Sequence, residues 1–555
     1  MSSLFQQHHD ALNKAIEALR QRTFYAHYPE HPKAYGPDAP AQGQQAFENQ
    51  LNHPFTQLLQ TGATAQAGEE ESPYWGTSLG ISYPITPVNT LVSNAKTALA
   101  AWRKAGVKER TGILIESLER VKNRFFEIAW ATQHTTGQSF IMSFQASGPH
   151  AADRAMETIA LGYTELTRFP HSLRWEKPAG GGAFITLDKT FTPVPKGVAM
   201  VIGCSTFPTW NTVPGLYASL ITGNTAIVKP HPKAILPIAI FVAELQQVLH
   251  ENGFDPNTVQ LAPDTGQHLI TKELAEHPDM KIIDYTGSSI FGNYIETLQS
   301  KGKTVFTEKA GVNSVIIDSV LDLRQVMRNL AFSVSLYSGQ MCTAPQNIFI
   351  PETGVPSADG LIPYETVVDV LKNEVASLAL NPKMGAGTLG AIQNPTTLER
   401  AQSAGKIGGT VLLESPPVKN PEFENARICA PTIIEVAAKD ADLYEREFFG
   451  PIVLVIKTEN TQQSLKLAQN MALHHGAITC GVYCTNEELA QHITDEMNSV
   501  FVPVSLNFTG FIWVNQHAAF SDFHVTGGNP AGNASFTDAL FINKRFVWVG
   551  NRINM

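Results

Sequence analysis

Two side chains 34 positions apart could together carry covalent catalysis on a carbonyl group. Glu308 lies in Thr307-Glu308-Lys309-Ala310-Gly311, and Cys342 lies in Ser338-Gly339-Gln340-Met341-Cys342-Thr343-Ala344-Pro345. A thiolate attacks an electrophilic carbon, and a carboxylate within reach deprotonates the water that later frees the product. Gly339 lets the backbone approach closely ahead of the thiol. Taken singly, neither residue is distinctive. An isolated cysteine is more often a small packed hydrophobe than a nucleophile, and a glutamate ending an apolar run is more often a solvated edge charge. A third feature is the turn Thr286-Gly287-Ser288-Ser289-Ile290-Phe291-Gly292. There a strand should pass into a helix and present amides to a phosphate. The G-x-G-x-x-G dinucleotide fingerprint is missing at this turn.

The elements that would position these residues read as alternating strands and helices. Strand-like apolar runs occur at Val198–Ile202, Thr225–Lys229, Val259–Leu261 and Lys281–Tyr285, and a helical stretch at Ile238–His250. Such alternation implies an open α/β sheet. A second α/β series begins near Val315 and includes a helical Leu323–Ser335, then strands at Asn347–Pro351 and Ile452–Lys457. From Val88 to about Thr167 the apolar spacing is helical, with Ala95, Ala98, Ala101 and Trp102 on one face. Residues 1–80 read as an arm: a helix around Leu12–Leu19, a Pro/Gly/Ala/Gln connector from Pro29 to Gln45, and the polar run Glu69-Glu70-Glu71. Two α/β lobes with a cleft between them should hold ligands at the carboxyl ends of their strands.

Composition narrows the class. The 555 residues are 43% hydrophobic and 16% charged, which suits a globular protein of several domains. A net charge of -10 argues against nucleic acid or an anionic membrane as the main partner. Five cysteines, none in a CxxC pair or beside a histidine cluster, argue against a disulfide framework or a metal site. No signal-peptide pattern opens the chain and no apolar run reaches spanning length, so a reducing, cytoplasmic location is expected. His474-His475 reads as a helix end, and Cys480 and Cys484 as core.

The motifs occur together and in order, and the set resembles the aldehyde dehydrogenase superfamily from about residue 85 onward. Phe207-Pro208 lead to Gly223-Asn224-Thr225-Ala226-Ile227-Val228-Lys229-Pro230, which matches the family's G-N-x-x-x-x-K-P segment. Thr286–Gly292 matches its glycine turn, Glu308 its base, and Gly339–Cys342 its G-Q-x-C nucleophile, at the family's separation. Glu447-Phe448-Phe449-Gly450-Pro451 matches E-x-F-G-P; Ala430-Pro431-Thr432 and Val514-Asn515 also fall in family positions. The resemblance implies an α/β fold with a Rossmann-like cofactor-binding domain (81–178 and 196–307) and an α/β catalytic domain (308–515). It also implies a small β oligomerisation element (179–195 and 516–555) behind the N-terminal helical arm (1–80). It further implies an NAD(P) cofactor. Lys229 would then hold the adenosine ribose, Glu447 the nicotinamide ribose and Phe449 the nicotinamide, with Gly287, Ser288 and Gly292 at the pyrophosphate.

Two departures from the family pattern bear on the chemistry. The oxyanion asparagine expected just before Phe-Pro is Thr206, whose hydroxyl is a shorter donor, and Cys204 sits close by in sequence. The glutamate expected three residues after the lysine is Pro232, flanked by His231 and Lys233. Loss of that carboxylate, with cations beside it, favours NADP over NAD. Local variants around Glu308 and Cys342, with the long arm, are similar to the phenylacetate-degradation (PaaN-type) branch. That branch implies a semialdehyde substrate, a CoA-linked aldehyde included, and no fused hydratase is expected. The C-terminal alternation in Ala539–Val549 should pair with Gly180–Val194 in a subunit-bridging sheet, giving a homodimer or homotetramer. The alternatives are an acylating, CoA-dependent enzyme, against which Glu308 argues, and a non-catalytic binding protein of the same fold.

Overall fold

The structure, a computed structural model, describes all residues except 1, 2, 310, 511, 513–517, 537 and 555. Five parallel strands form one sheet in the order Val259–Leu261, Thr225–Lys229, Val198–Ile202, Met280–Gly287, Thr304–Lys309. Every residue of Val198–Ile202 and of Thr225–Lys229 is buried. A parallel sheet covered on both faces needs continuous apolar strands rather than alternating ones, which is why these segments read as short apolar runs. The chain starts at the central strand, moves outward to one edge, then returns to build the other side. Lys229, Gly287 and Glu308 all stand at or near the carboxyl ends beside that reversal.

A second, seven-stranded sheet runs in the order Thr410–Leu413, Thr432–Ala437, Ile452–Thr458, Pro345–Pro351, Asn313–Ile317, Cys480–Tyr483, Val504–Leu506. It is parallel except for its first pair. Cys480 and Cys484 lie buried in its core, as the apolar stretch implies. His474 and His475 end the helix Thr461–His475. The helical expectation for 88–167 resolves into Val88–Lys104, Gly106–Lys122, Phe125–Thr136, Phe140–Gln145 and Ala151–Leu166.

The arm is more structured than its composition suggests. The helix His9–Gln21 is present, and the supposed connector contains a second helix, Ala39–Glu48. Gly43 permits its docking: a Cβ there would lie 2.2 Å from Phe126 Cβ. The run Glu69-Glu70-Glu71 is not simply solvated. Glu70 is buried, and its Oε1 accepts from the amides of Ile235 (2.5 Å) and Leu236 (2.9 Å). Those amides open the helix Leu236–Glu251, whose own N-cap residue, Ile235, supplies no side-chain cap. A carboxylate brought from 165 positions away thus satisfies orphan donors and complements the helix dipole.

A third sheet is antiparallel and built from Ser172–Gly180, Ala183–Pro195 and Phe546–Asn554. The expected partnership of the 180–194 segment with the C-terminus is there, formed within one chain from Phe546↔Pro195 to Asn554↔Leu187. The expected strand starts too early, however. Ala539–Asn543 is a helix, capped by Asp538, which accepts from the Phe541 amide at 2.9 Å, and it buries Phe541 and Ile542. The cap, and burial of the two adjacent residues Phe541 and Ile542, which alternation would place on opposite faces, override the apparent strand pattern. Between helix and strand, the buried Arg545 ion-pairs with Asp284 and donates to Ser219 Oγ (2.8 Å).

Candidate active site

Glu308 sits in the last turn of sheet before the chain leaves Thr304–Lys309, and Cys342 sits on the loop that leads into Pro345–Pro351. The sequence holds them 34 positions apart; the fold brings Cys342 Sγ, a Glu308 carboxylate oxygen and a ring nitrogen of His524 within 4.8 Å of one another. The nucleophile loop is strained. Tyr337 (φ 52°), Ser338 (φ 50°) and Gly339 (φ 64°) run consecutively through the left-handed region, which L-residues adopt only when their surroundings enforce it. Ser338 Oγ donates to the carbonyls of Leu389 (3.0 Å) and Cys429 (2.8 Å), and Tyr337 Oη to Thr136 O (2.6 Å). Asn313 Nδ2 then donates to Cys342 O (2.8 Å) and Ala344 O (3.1 Å), closing the loop from the other side.

Burial pushes the Cys342 thiol well above its ordinary value, and the adjacent Glu308 charge adds to that. For Glu308, burial is the largest single influence and pushes upward. The charge and hydrogen bond of His524, with hydrogen bonds from Cys342 and Asn211, outweigh it, and the carboxyl ends below its ordinary value. The resting pair is therefore a thiol beside an ionised carboxylate, a base placed to take the sulfur's proton when an electrophile arrives.

Thr206 is near this site but faces Cys204: its Oγ1 lies 3.9 Å from Cys204 Sγ, while its carbonyl accepts from Gln138 Nε2 at 2.7 Å. The amide that reaches the centre is Asn211, whose Nδ2 donates to Glu308 Oε2 at 2.8 Å and whose Oδ1 faces Cys204 Sγ at 3.6 Å. Sequence reasoning missed Asn211 and His524. Asn211 follows Phe207-Pro208 by only a few residues, and a buried amide in an apolar stretch was the available signal. His524 lies in a polar, glycine-rich segment with no periodicity to mark it.

Of the residues assigned to a cofactor, Lys229 and Gly287 end strands of the first sheet, Ser288 and Gly292 follow at the start of the next helix, and Glu447 and Phe449 lie on the loop before Ile452–Thr458 of the second. Ser288 caps the helix Ser289–Thr297, its Oγ accepting from the Phe291 amide at 3.5 Å. Gly292 is required by packing, since a Cβ there would meet Lys309 Cγ at 2.5 Å. Lys229 is buried and ion-paired with Asp264 at 2.6 Å, a partner the sequence did not announce. His231 is kept neutral: burial, then the charges of Lys229 and Lys233, lower its pKa to about 4. Lys233 Nζ donates to Glu69 O at 3.4 Å. The cations counted on to welcome a 2′-phosphate are thus one paired lysine, one neutral ring and one lysine turned toward the arm. Burial raises Glu447 to about 7 against the opposing charge of Arg400, and among the described residues no hydrogen-bond donor reaches its carboxyl. An undersupplied carboxyl fits a ligand that brings hydroxyl donors, such as a ribose diol. Phe449 holds φ 37° beside it. Gly339 packs directly on this motif, because a Cβ there would lie 2.4 Å from Gly450 O. The nucleophile loop and the E-x-F-G-P loop are therefore in register with each other. Val514-Asn515 lies outside the described residues.

Comparison with known proteins agrees with this arrangement. The pattern described as "Aldehyde dehydrogenase family" matches residues 85–532. The chain is similar to a crystal structure of an NAD-dependent aldehyde dehydrogenase from Burkholderia multivorans, with 43% identity and a TM-score of 0.97, covering 100% of this chain and 99% of that one. It is 24% identical over 446 residues to 4-trimethylaminobutyraldehyde dehydrogenase B of Danio rerio, covering 76% of this chain and 79% of that protein. It is 24% identical over 421 residues to the acylating methylmalonate-semialdehyde/malonate-semialdehyde dehydrogenase of Rattus norvegicus, covering 73% and 72%. Membrane spanning is not indicated by any helix among the described residues, none being long and apolar enough. With a matched span of more than half its length and an ordered set of motifs, the chain belongs to the aldehyde dehydrogenase family.

Proposed function

We propose that the protein oxidises an aldehyde to a free carboxylic acid, with Cys342 as nucleophile and Glu308 as the base for hydrolysis. The observation that carries this is the half-buried Cys342 thiol within 4.8 Å of the buried Glu308 carboxylate, with the carboxyl shifted below and the thiol above its ordinary value. Glu308 removes the thiol proton as sulfur bonds to the aldehyde carbon, giving a thiohemiacetal whose oxyanion is met by the Cys342 main-chain N–H. A bound nicotinamide cofactor would supply the hydride acceptor, and Glu447, Phe449, Lys229 and the Gly287–Gly292 turn are the residues that would hold it. Loss of hydride leaves a thioester on Cys342. Glu308 passes the thiol proton to solvent and, ionised again, takes a proton from water; the hydroxide adds to the acyl carbon, the C–S bond breaks, and the expelled thiolate recovers its proton from Glu308.

For the substrate we propose a semialdehyde of aromatic-acid catabolism, a CoA-linked one included, on the strength of the phenylacetate-type variants around Glu308 and Cys342. The acylating reading draws some support from the rat relative's name, but a poised base beside the thiol favours water as acceptor. For the cofactor, the sequence argument for NADP rests on the carboxylate missing at Pro232, with flanking cations as added support; Lys229 is held by Asp264, which removes part of that support. We therefore propose NAD as the working cofactor, with NADP accepted. The 1–80 arm, the two lobes and the β element are proposed as units with the boundaries given above. A homodimer or homotetramer is proposed through the three-stranded sheet, which leaves Phe184, Ile185, Val547, Val549 and Ile553 exposed. NAD(P)H formation from an aldehyde panel, with and without CoA, tests the chemistry. The proposal expects turnover without CoA and a free acid as product; strict dependence on CoA overturns it.

A further inference from the structure

A histidine that thiol–carboxylate chemistry does not by itself require is delivered to this centre by the segment near the C-terminus. His524 Nε2 lies 2.7 Å from Glu308 Oε1 and 3.9 Å from Cys342 Sγ, and both ring and carboxylate are buried. The ring is fixed between aromatics: Trp210 meets it edge-on (4.6 Å between centroids, 90°) and Phe536 lies at 5.3 Å. Asn211, adjacent to Trp210 in sequence, donates to the other carboxylate oxygen. The segment carrying His524 is tied to the strand carrying Glu308. Lys309 N donates to Ala531 O (2.6 Å), Asn533 N to Thr307 O (3.0 Å), and Thr307 N to Asn533 Oδ1 (2.7 Å).

One ring nitrogen faces both the carboxylate and the thiol. At 2.7 Å from an ionised carboxylate that nitrogen must carry its proton toward Oε1, which leaves it no lone pair to receive the thiol proton. His524 therefore does not replace Glu308 as the base for Cys342. The remaining groups around the pair are mostly acids. They are Cys342 itself, Cys204, and Asp284, which is occupied by Arg545. Glu447 lies beyond Cys342. Lys309 is paired with Glu296, and Arg154 with Glu157 on the far side of Trp210. Among the described residues, His524 is the basic side chain in contact with Glu308.

We propose that His524 is a positioning residue for the hydrolytic half of the reaction: its Nε2–H holds the Glu308 carboxylate ionised and turned toward the attacking water. This rests on the assignment of Cys342 and Glu308 above. With the histidine gone, burial acts on the carboxyl with little to oppose it, and the acid form persists to higher pH.

The experiment compares wild type, H524F, H524Q and C342A by rapid-mixing absorbance of the reduced nicotinamide across pH. In H524F the acid limb of the steady phase should move upward by about one pH unit or more, the scale of one lost charge-assisted hydrogen bond. The initial burst should persist at high pH. H524Q, which keeps an amide donor, should return the limb most of the way, a rescue that simple loss of packing would not show. If H524F folds poorly, H524N, too short to span the contact, carries the same comparison. An acid limb unmoved in the folded H524F or H524N variant overturns the role of His524. If C342A still forms reduced nicotinamide at the wild-type rate, the assignment of the site itself fails.

Discussion

Replacing Gly339 with alanine tests how tightly the nucleophile loop is registered against the cofactor loop. Gly339 has φ 64°, and a Cβ there would stand 2.4 Å from Gly450 O, where ordinary contact begins at 3.4 Å. The left-handed conformation costs an L-residue roughly 1–2 kcal/mol, and the overlap adds about 1–3 kcal/mol of overpacking. Relief of the overlap requires the loops bearing Cys342 and Glu447 to part by about 1 Å, a displacement that can lower rate about 100-fold. Gly253→Ala is the control, since Gly253 has φ 79° and nothing within 4 Å of an added Cβ; it should show the backbone cost without the kinetic one. The assay is kcat/KM with one aldehyde, alongside thermal unfolding of both variants. G339A should lose on the order of 10–100-fold in kcat/KM, and G253A should stay close to wild type. If the two variants behave alike, or G339A keeps wild-type kcat/KM, the contact between the loops does not set the geometry of the reaction.

Two further outcomes are open to measurement. Asp264→Asn removes the carboxylate that occupies Lys229, so the ratio of kcat/KM for NADP to that for NAD should rise by about tenfold, roughly 1.4 kcal/mol; an unchanged ratio would remove Asp264 from cofactor choice. Light scattering at micromolar concentration should report a dimer or tetramer of wild type and a smaller species when Val547 and Val549, both exposed on the third sheet, are changed to lysine.

Much of the scaffold was legible because burial on both faces of a parallel sheet leaves short, continuous apolar runs, as at Val198–Ile202 and Asn313–Ile317. Cys342 and Glu308 stood out in the sequence only as members of the ordered motifs of the resemblance, not singly; in the fold Gly339 sits in a left-handed turn, Glu308 stands at a strand end, and the two functional atoms come within 4.8 Å. What escaped were contacts made across long loops. Asp264 on Lys229, Glu70 on the helix Leu236–Glu251 and His524 on Glu308 join residues separated by 35 to 216 positions. Each is a single polar side chain with no period around it. Ala539–Asn543 was misread for a different reason: its apolar residues suit either period, and only the cap at Asp538 distinguishes helix from strand.

The central claim, that Cys342 carries the acyl group and Glu308 admits water to it, is tested most directly by mass spectrometry of E308Q quenched after mixing with aldehyde and oxidised cofactor. The amide keeps the shape of the carboxylate but accepts no proton from water. Because Glu308 also takes the thiol proton, the account predicts a slowed burst of reduced cofactor, a steady phase slowed further still, and the acyl mass on the peptide that contains Cys342. Steady turnover at the wild-type rate with no acyl group on Cys342 would contradict it.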